Sequence, residues 1–133
     1  MNGLISQELL DELTAQAKAS PRLRMNMDLR NSPEDSSQRM LNAIEPGSVV
    51  PVHWHRSTSE TVVCLRGCVD EIFYDDSGHE TARFRLDPSV GSFGLQIPAG
   101  QWHSLKSLES GTVLFECKDG PWSPLTKEDV MEV

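Results

Sequence analysis

Two histidines stand one residue apart in His53-Trp54-His55. In an extended segment residues i and i+2 point to the same side, so both imidazoles enter the same interior. Burying two titratable rings together is costly unless something partners them, and a metal ion is such a partner. Glu60 lies beyond the loop Arg56-Ser57-Thr58-Ser59 and opens the run Glu60-Thr61-Val62-Val63-Cys64. A tight return sets its carboxylate across from the histidine pair, with Val62 and Cys64 on the same inward face. His103 comes much later, behind the turn Pro98-Ala99-Gly100, on a strand that a barrel can bring beside the first. Three imidazoles and one carboxylate suit Zn, Fe, Ni or Mn without choosing among them. The expectation is one divalent metal ion held by His53, His55, Glu60 and His103, with coordination left over for a small-molecule ligand.

Other polar residues are candidates for touching that ligand. Arg24 and Asn26 share one strand face, and Arg24 and Arg39 can clamp a carboxylate or phosphate through two donors. Gln96 is placed on the inner surface near Val62 and Cys64. His79 follows Ser77-Gly78 and reads as an exposed turn residue. Cys64 reads as a buried, inert thiol. Tyr74 is the one tyrosine, and no general base is obvious.

The elements that must position these residues are mostly strands. Ser6 to Ala19 is helical, with Leu9, Leu10, Leu13 and Ala17 on one stripe, Ser6 as cap and Pro21 as stop. Arg24 to Leu29 alternates polar and apolar, the period of a strand. Ser32, Pro33 and Asp35 suggest the start of a second short helix anchored by Met40, Leu41 and Ile44. After Gly47 come short runs rich in Val, Ile, Phe, Leu and Thr, namely 48–54, 60–66, 69–74, 81–86, 94–97, 103–105 and 112–117. Turn signals such as Arg66-Gly67, Asp76-Ser77-Gly78 and Asp87-Pro88 separate them. No helical crossover divides these strands, so the class is all-β, a barrel or sandwich, with short N-terminal helices. The chain divides into residues 1–46, a helical and strand extension packed on the barrel, and 47–133, the metal-binding barrel with an irregular tail. Trp122 is expected to anchor that tail.

Composition narrows the partners. The 133 residues carry 20 acidic and 12 basic side chains, a formal net charge of -8, with the arginines scattered. Nucleic-acid binding rests on clustered Lys and Arg, so no nucleic-acid partner is expected. No apolar stretch approaches the ~20 residues that cross a bilayer, and Met1 to Leu10 has no signal-peptide pattern. No membrane partner and a cytoplasmic location are expected. Three cysteines are an odd number and argue against a disulfide framework.

These residues resemble the cupin superfamily. Its first motif is matched by Gly47, His53-Trp54-His55, Glu60 and Gly67, all at the family's spacing; in its second, Pro98-Ala99-Gly100 and His103 match. Gly91 lies one residue early, and Ser107 stands where an asparagine is usual. From Arg24 to Leu125 the chain is similar to the WbuC-type cupin fold metalloproteins. The likeness rests on Arg24-Met25-Asn26, on 38–43, on Glu45-Pro46-Gly47, on 97–105 and on 115–121. The resemblance implies a cupin-type double-stranded β-helix (a jelly-roll barrel), the same four metal ligands, a homodimer and a link to bacterial surface polysaccharides. It supplies no substrate. The expected function is a metal-dependent enzyme of isomerase or epimerase type acting on a sugar or sugar nucleotide. The alternatives are an Fe-dependent dioxygenase and a non-catalytic binding or sensor module.

Overall fold

Helix α1 runs Gln7–Ala19, and the Ser6 hydroxyl accepts the Leu9 N–H at its start, as the cap pattern predicts. In the computed structural model, which describes residues 3–131, eight strands follow: β1 (Arg24–Asp28), β2 (Ser37–Ile44), β3 (Glu60–Arg66), β4 (Val69–Tyr74), β5 (Glu80–Leu86), β6 (Gly94–Ile97), β7 (Trp102–Ser107) and β8 (Val113–Asp119). Residues 1, 2, 132 and 133, the outer ends of the two expected regions, lie outside the described residues. The strands form two antiparallel sheets, one ordered β1-β2-β8-β3-β6 and the other β5-β4-β7.

Each sheet residue's parity decides which of two cores it joins. Leu41, Ala43, Val113, Met25 and Met27 face outward from the larger sheet and meet Leu10, Leu13 and Ala17 of α1. Val62, Cys64, Leu114 and Ile97 face inward and meet Val69, Leu86, Phe73 and Leu105. The inner cluster fills one end of the barrel. The other end is polar, and it holds the site.

The second helix expected from Ser32 is corrected to strand β2. Asp35 accepts the N–H groups of Asn31 and Ser37, both at 2.9 Å, and closes a turn instead of capping a helix. Both faces of β2 are covered, Leu41 and Ala43 by α1 and Met40 and Asn42 by the barrel interior. A strand apolar on both faces imitates helical spacing, which is why the period misleads there. β2 pairs with β1 and β8, so residues before 47 supply two strands of the larger sheet as well as the helix. Residues 48–54 form no continuous strand and pair at His53 alone. Trp122 is 56% exposed and does not anchor the tail.

Candidate metal centre

His53 and His55 stand on an extended segment clamped from both sides. The His53 N–H donates to the His103 carbonyl at 3.0 Å, and the His103 N–H returns the bond at 2.8 Å. On the other side the Trp54 N–H donates to the Asp129 carbonyl, and the Met131 N–H donates to Val52. The Gly100 N–H donates to the His55 carbonyl at 2.8 Å, so the turn before β7 holds the second histidine's backbone directly. Glu60 opens β3, and its neighbours across the sheet are Ile97 and Lys118.

The geometry brings the three expected histidines together and sets Glu60 beside two of them. One nitrogen from each of His53, His55 and His103 lies within 4.8 Å of the others, close enough to converge on one ion. Glu60 Oε2 lies 3.5 Å from His55 Nε2 and 3.6 Å from His103 Nε2. Those separations are too long for hydrogen bonds. This buried oxygen has no hydrogen-bond partner among the described residues.

Two rings have a defined orientation. His53 Nδ1 is 2.8 Å from the Pro51 carbonyl, and His103 Nδ1 is 2.8 Å from the Gln101 carbonyl. A carbonyl only accepts, so each Nδ1 carries a proton and the Nε2 is the atom left to face the site. That arrangement fixes the tautomer a metal-binding imidazole needs. Burial, then the neighbouring His103, hold His53 at a pKa of about 4, and burial likewise holds His55 at about 4. Burial works against the Glu60 carboxylate, but His103, Lys118 and His55 outweigh it and keep its pKa down at about 2. Neutral His53 and His55 beside an ionised Glu60 are protonation states in which these groups bind a cation. The residues therefore fit a divalent metal.

The site opens into a cavity of about 320 Å³. Arg24 and Asn26 of β1 line it, as expected from their shared face. Arg39 does not: its parity follows Leu41, and it pairs with Asp35 at 3.2 Å on the other face. Gln96 also points away, because its neighbour Ile97 faces inward; it accepts from the Thr61 hydroxyl at 2.9 Å. Cys64 sits in the apolar cluster, its thiol hydrogen-bonded to the Arg66 carbonyl, and burial pushes its pKa up to about 11. It is inert at neutral pH. His79 is exposed and pairs with Asp75. Asn42, Glu71 and Glu116 line the cavity without having been singled out in the sequence. Their signal was parity: Glu71 alternates with Val69 and Phe73, and Glu116 with Leu114, so each is a carboxyl on an apolar face.

A family model described as a domain of unknown function, DUF6016, matches residues 5–86. The chain belongs to the DUF6016 family. The match includes three of the four gathered residues, His53, His55 and Glu60. A comparison with curated proteins finds no match to this DUF6016 chain. Among solved structures it is similar to the capsular polysaccharide assembling protein CapF from Staphylococcus aureus, with a TM-score of 0.66 and 19% identity over 79% of this chain and 30% of CapF. It is also similar to the cupin domain of Cnp3 from Schizosaccharomyces pombe, with a TM-score of 0.59, 15% identity and coverage of 73% and 64%. KdgF from Halomonas sp. matches with a TM-score of 0.59, 14% identity and coverage of 77% and 84%. The fold is the cupin jelly roll. This DUF6016 chain spans less than a third of CapF.

Asp129 gives the site a support from the tail. Its carboxylate accepts from Trp54 Nε1 at 2.9 Å and Arg56 Nε at 3.1 Å, and Trp54 stacks on Trp102 with ring centroids 4.5 Å apart. The residues between the histidines and before His103 are thereby tied together. Asp129→Ala removes no ligand but loosens the segment bearing two of them. Metal affinity should fall by roughly 10-fold, the low end for an outer-shell contact, in a chelator-competition titration. Unchanged affinity would show that the tail does not position the histidines.

Proposed function

We propose that His53, His55, His103 and Glu60 hold one divalent metal ion, and that the chain is a metal-dependent enzyme acting on a small oxygen-rich molecule in the adjoining cavity. The observation that carries this reading is the Glu60 Oε2 atom. It is buried and without a hydrogen-bond partner among the described residues, it lies within 3.6 Å of two imidazole nitrogens, and its pKa is held down, which favours the anion. Burying an ionised carboxylate without a hydrogen bond is costly, and a cation shared with the imidazoles removes that cost. The bound ion would supply a Lewis acid that polarises a carbonyl or takes two adjacent oxygens.

The chain's own residues define the rest. The His53 and His103 rings are held by backbone carbonyls and keep their Nε2 atoms aimed at the site. Arg24 and Lys118 bring positive charge to the cavity, so a molecule of net charge -8 can still draw in an acidic ligand locally. At about 320 Å³ the cavity is at the small end for ligand sites. That size favours a sugar over a whole sugar nucleotide, whose nucleotide would extend past the rim. The likeness to WbuC-type proteins and the fold shared with a capsular polysaccharide assembling protein point the same way, to a sugar isomerase or epimerase.

The test is metal analysis of anaerobically purified protein, followed by calorimetric titration of Glu60→Gln at neutral pH. Wild type should carry close to one ion per chain. The amide keeps the shape and loses the charge, so affinity should drop by roughly 10–100-fold, with the histidines still binding. Unchanged affinity would place Glu60 outside the coordination sphere.

A further inference from the structure

Two buried carboxylates among the described residues are held by the protein itself. Glu45 accepts from the Ser110 hydroxyl at 2.6 Å and the Gly111 N–H at 2.7 Å. Asp70 is 1% exposed and pairs with Arg85 at 2.9 Å and Arg83 at 3.4 Å. Glu71, the next residue, is buried to the same degree, yet neither of its carboxyl oxygens has a hydrogen-bond partner among the described residues. Asn42 Oδ1 is buried and unpartnered as well. Both residues line the cavity that contains the metal ligands.

Their positions make this costly. Glu71 pairs with Leu105 in the β4–β7 ladder and alternates with Val69 and Phe73, all three in the inner apolar cluster. A methionine or leucine at 71 would extend that cluster without leaving a polar atom stranded. Asn42 stands between Asn26 on β1 and Leu114 on β8, on the face of the larger sheet that looks into the barrel. A buried polar group left unpaired costs about 1–3 kcal/mol in a protein. Two such residues facing one cavity, with no structural bond to explain either, are the mark of a surface built for something that enters the cavity.

We propose that Glu71 and Asn42, one on each sheet, form a polar recognition wall around the cavity for the hydroxyl groups of a polyol, such as a sugar ring, held beside the histidines. The proposal rests on the reading that the cavity takes an oxygen-rich molecule, and it adds the residues that select one. The hydrogen-bonding capacity of the wall fits hydroxyls. Burial, then Glu116 and Glu60, push the Glu71 carboxyl well above the ordinary carboxylate range, towards its protonated form. A neutral carboxyl donates once and accepts at its other oxygen, and an amide also does both. A hydroxyl likewise donates and accepts, and so complements either group. An ammonium would need acceptors alone, and a phosphate donors alone. Arg24 and Lys118, on the same cavity, remain for an anionic substituent.

The wall predicts opposite effects on stability and binding. Glucose, galactose, mannose and glucuronate are added at tens of millimolar to metal-loaded wild type, Glu71→Met and Glu71→Gln, and melting is followed with metal content read on each sample. Glu71→Met replaces a stranded carboxyl with an apolar chain of similar length. It should raise Tm without sugar by about 3–6 °C, keep its metal and lose the sugar-induced shift. Glu71→Gln keeps one donor and one acceptor, and should retain both the wild-type Tm within about 2 °C and the sugar response. A lower Tm for Glu71→Met would make Glu71 a structural residue and overturn the proposal. So would a sugar response that survives in Glu71→Met, one that is lost in Glu71→Gln, or a metal-loaded wild type that answers to none of the sugars. Wild type without metal would count against the metal reading, while the Glu71→Met melting shift would still decide the wall.

Discussion

Protein in which His53 and His55 are both replaced by alanine should retain less than about a tenth of the wild-type metal and still fold. Two of the four gathered donors are gone, and the remaining pair, His103 and Glu60, comes from two different sheets. Loss of a single outer-shell contact to a ligand costs roughly 10–100-fold in affinity, so loss of two ligands together should exceed 100-fold. The fold should survive because neither ring belongs to an apolar cluster. The backbone bonds between His53 and His103 do not depend on the side chains. Among the described residues the one side-chain hydrogen bond lost is that from His53 Nδ1 to Pro51, a cost of about 1 kcal/mol. Wild type treated with a chelator should melt at a lower temperature than the metal-loaded protein, by mass action, and the double variant should show no such difference. Metal analysis by mass spectrometry with melting curves reads both effects. Full occupancy in the double variant would remove His53 and His55 from the site.

How much of this was legible in the sequence follows from what parity can and cannot do. Strands β3, β4 and β6 appear with the limits their patterns suggest, because sharp turn signals bound them. Within β3 the alternation of Glu60, Val62 and Cys64 places all three inward, and the barrel interior holds them. Arg39 and Gln96 fail by a single residue. Around Arg39 the capping pattern imitates a helix and hides the strand parity, and the inward residues are Met40 and Asn42. For Gln96 the register is decided by Ile97 pairing with Glu60, a long-range fact no local pattern carries. Glu71 was readable in principle, since Val69 and Phe73 mark its face as apolar. The adjacent Asp70 disguised it, because two acids in succession look like a solvated stretch, while Asp70 is itself buried against two arginines. The support from Asp129 was not readable at all. It depends on where a proline-rich tail returns to the barrel.

The motif glycine at 67 should prove to belong to the fold and not to the metal. Gly67 has φ of +90°, a backbone region that side chains avoid, in the turn between β3 and β4. A Cβ there would lie 2.2 Å from the Thr112 hydroxyl and 2.6 Å from the Thr112 Cα. Thr112 cannot step aside. It is fully buried, its hydroxyl donates to the Glu109 carbonyl at 2.7 Å, and the same oxygen accepts the Cys68 N–H at 3.1 Å. The clash is therefore with a backbone atom and a hydroxyl fixed at two points, and relief requires the β3–β4 turn to move away from the start of β8. The unfavourable backbone conformation costs about 1–3 kcal/mol and overpacking about 1–3 kcal/mol more. Gly67→Ala should lose roughly 2–5 kcal/mol of stability in urea unfolding, a large part of what a domain of this size possesses. At low temperature, where the variant is still folded, its metal content should match wild type, since the turn lies at the apolar end of the barrel and touches none of the four ligands. The histidine double variant should show the reverse, losing metal with little change in folding. A Gly67→Ala protein within 1 kcal/mol of wild type would mean that the Thr112 contact yields easily, and that the glycine's place in the motif has some other cause.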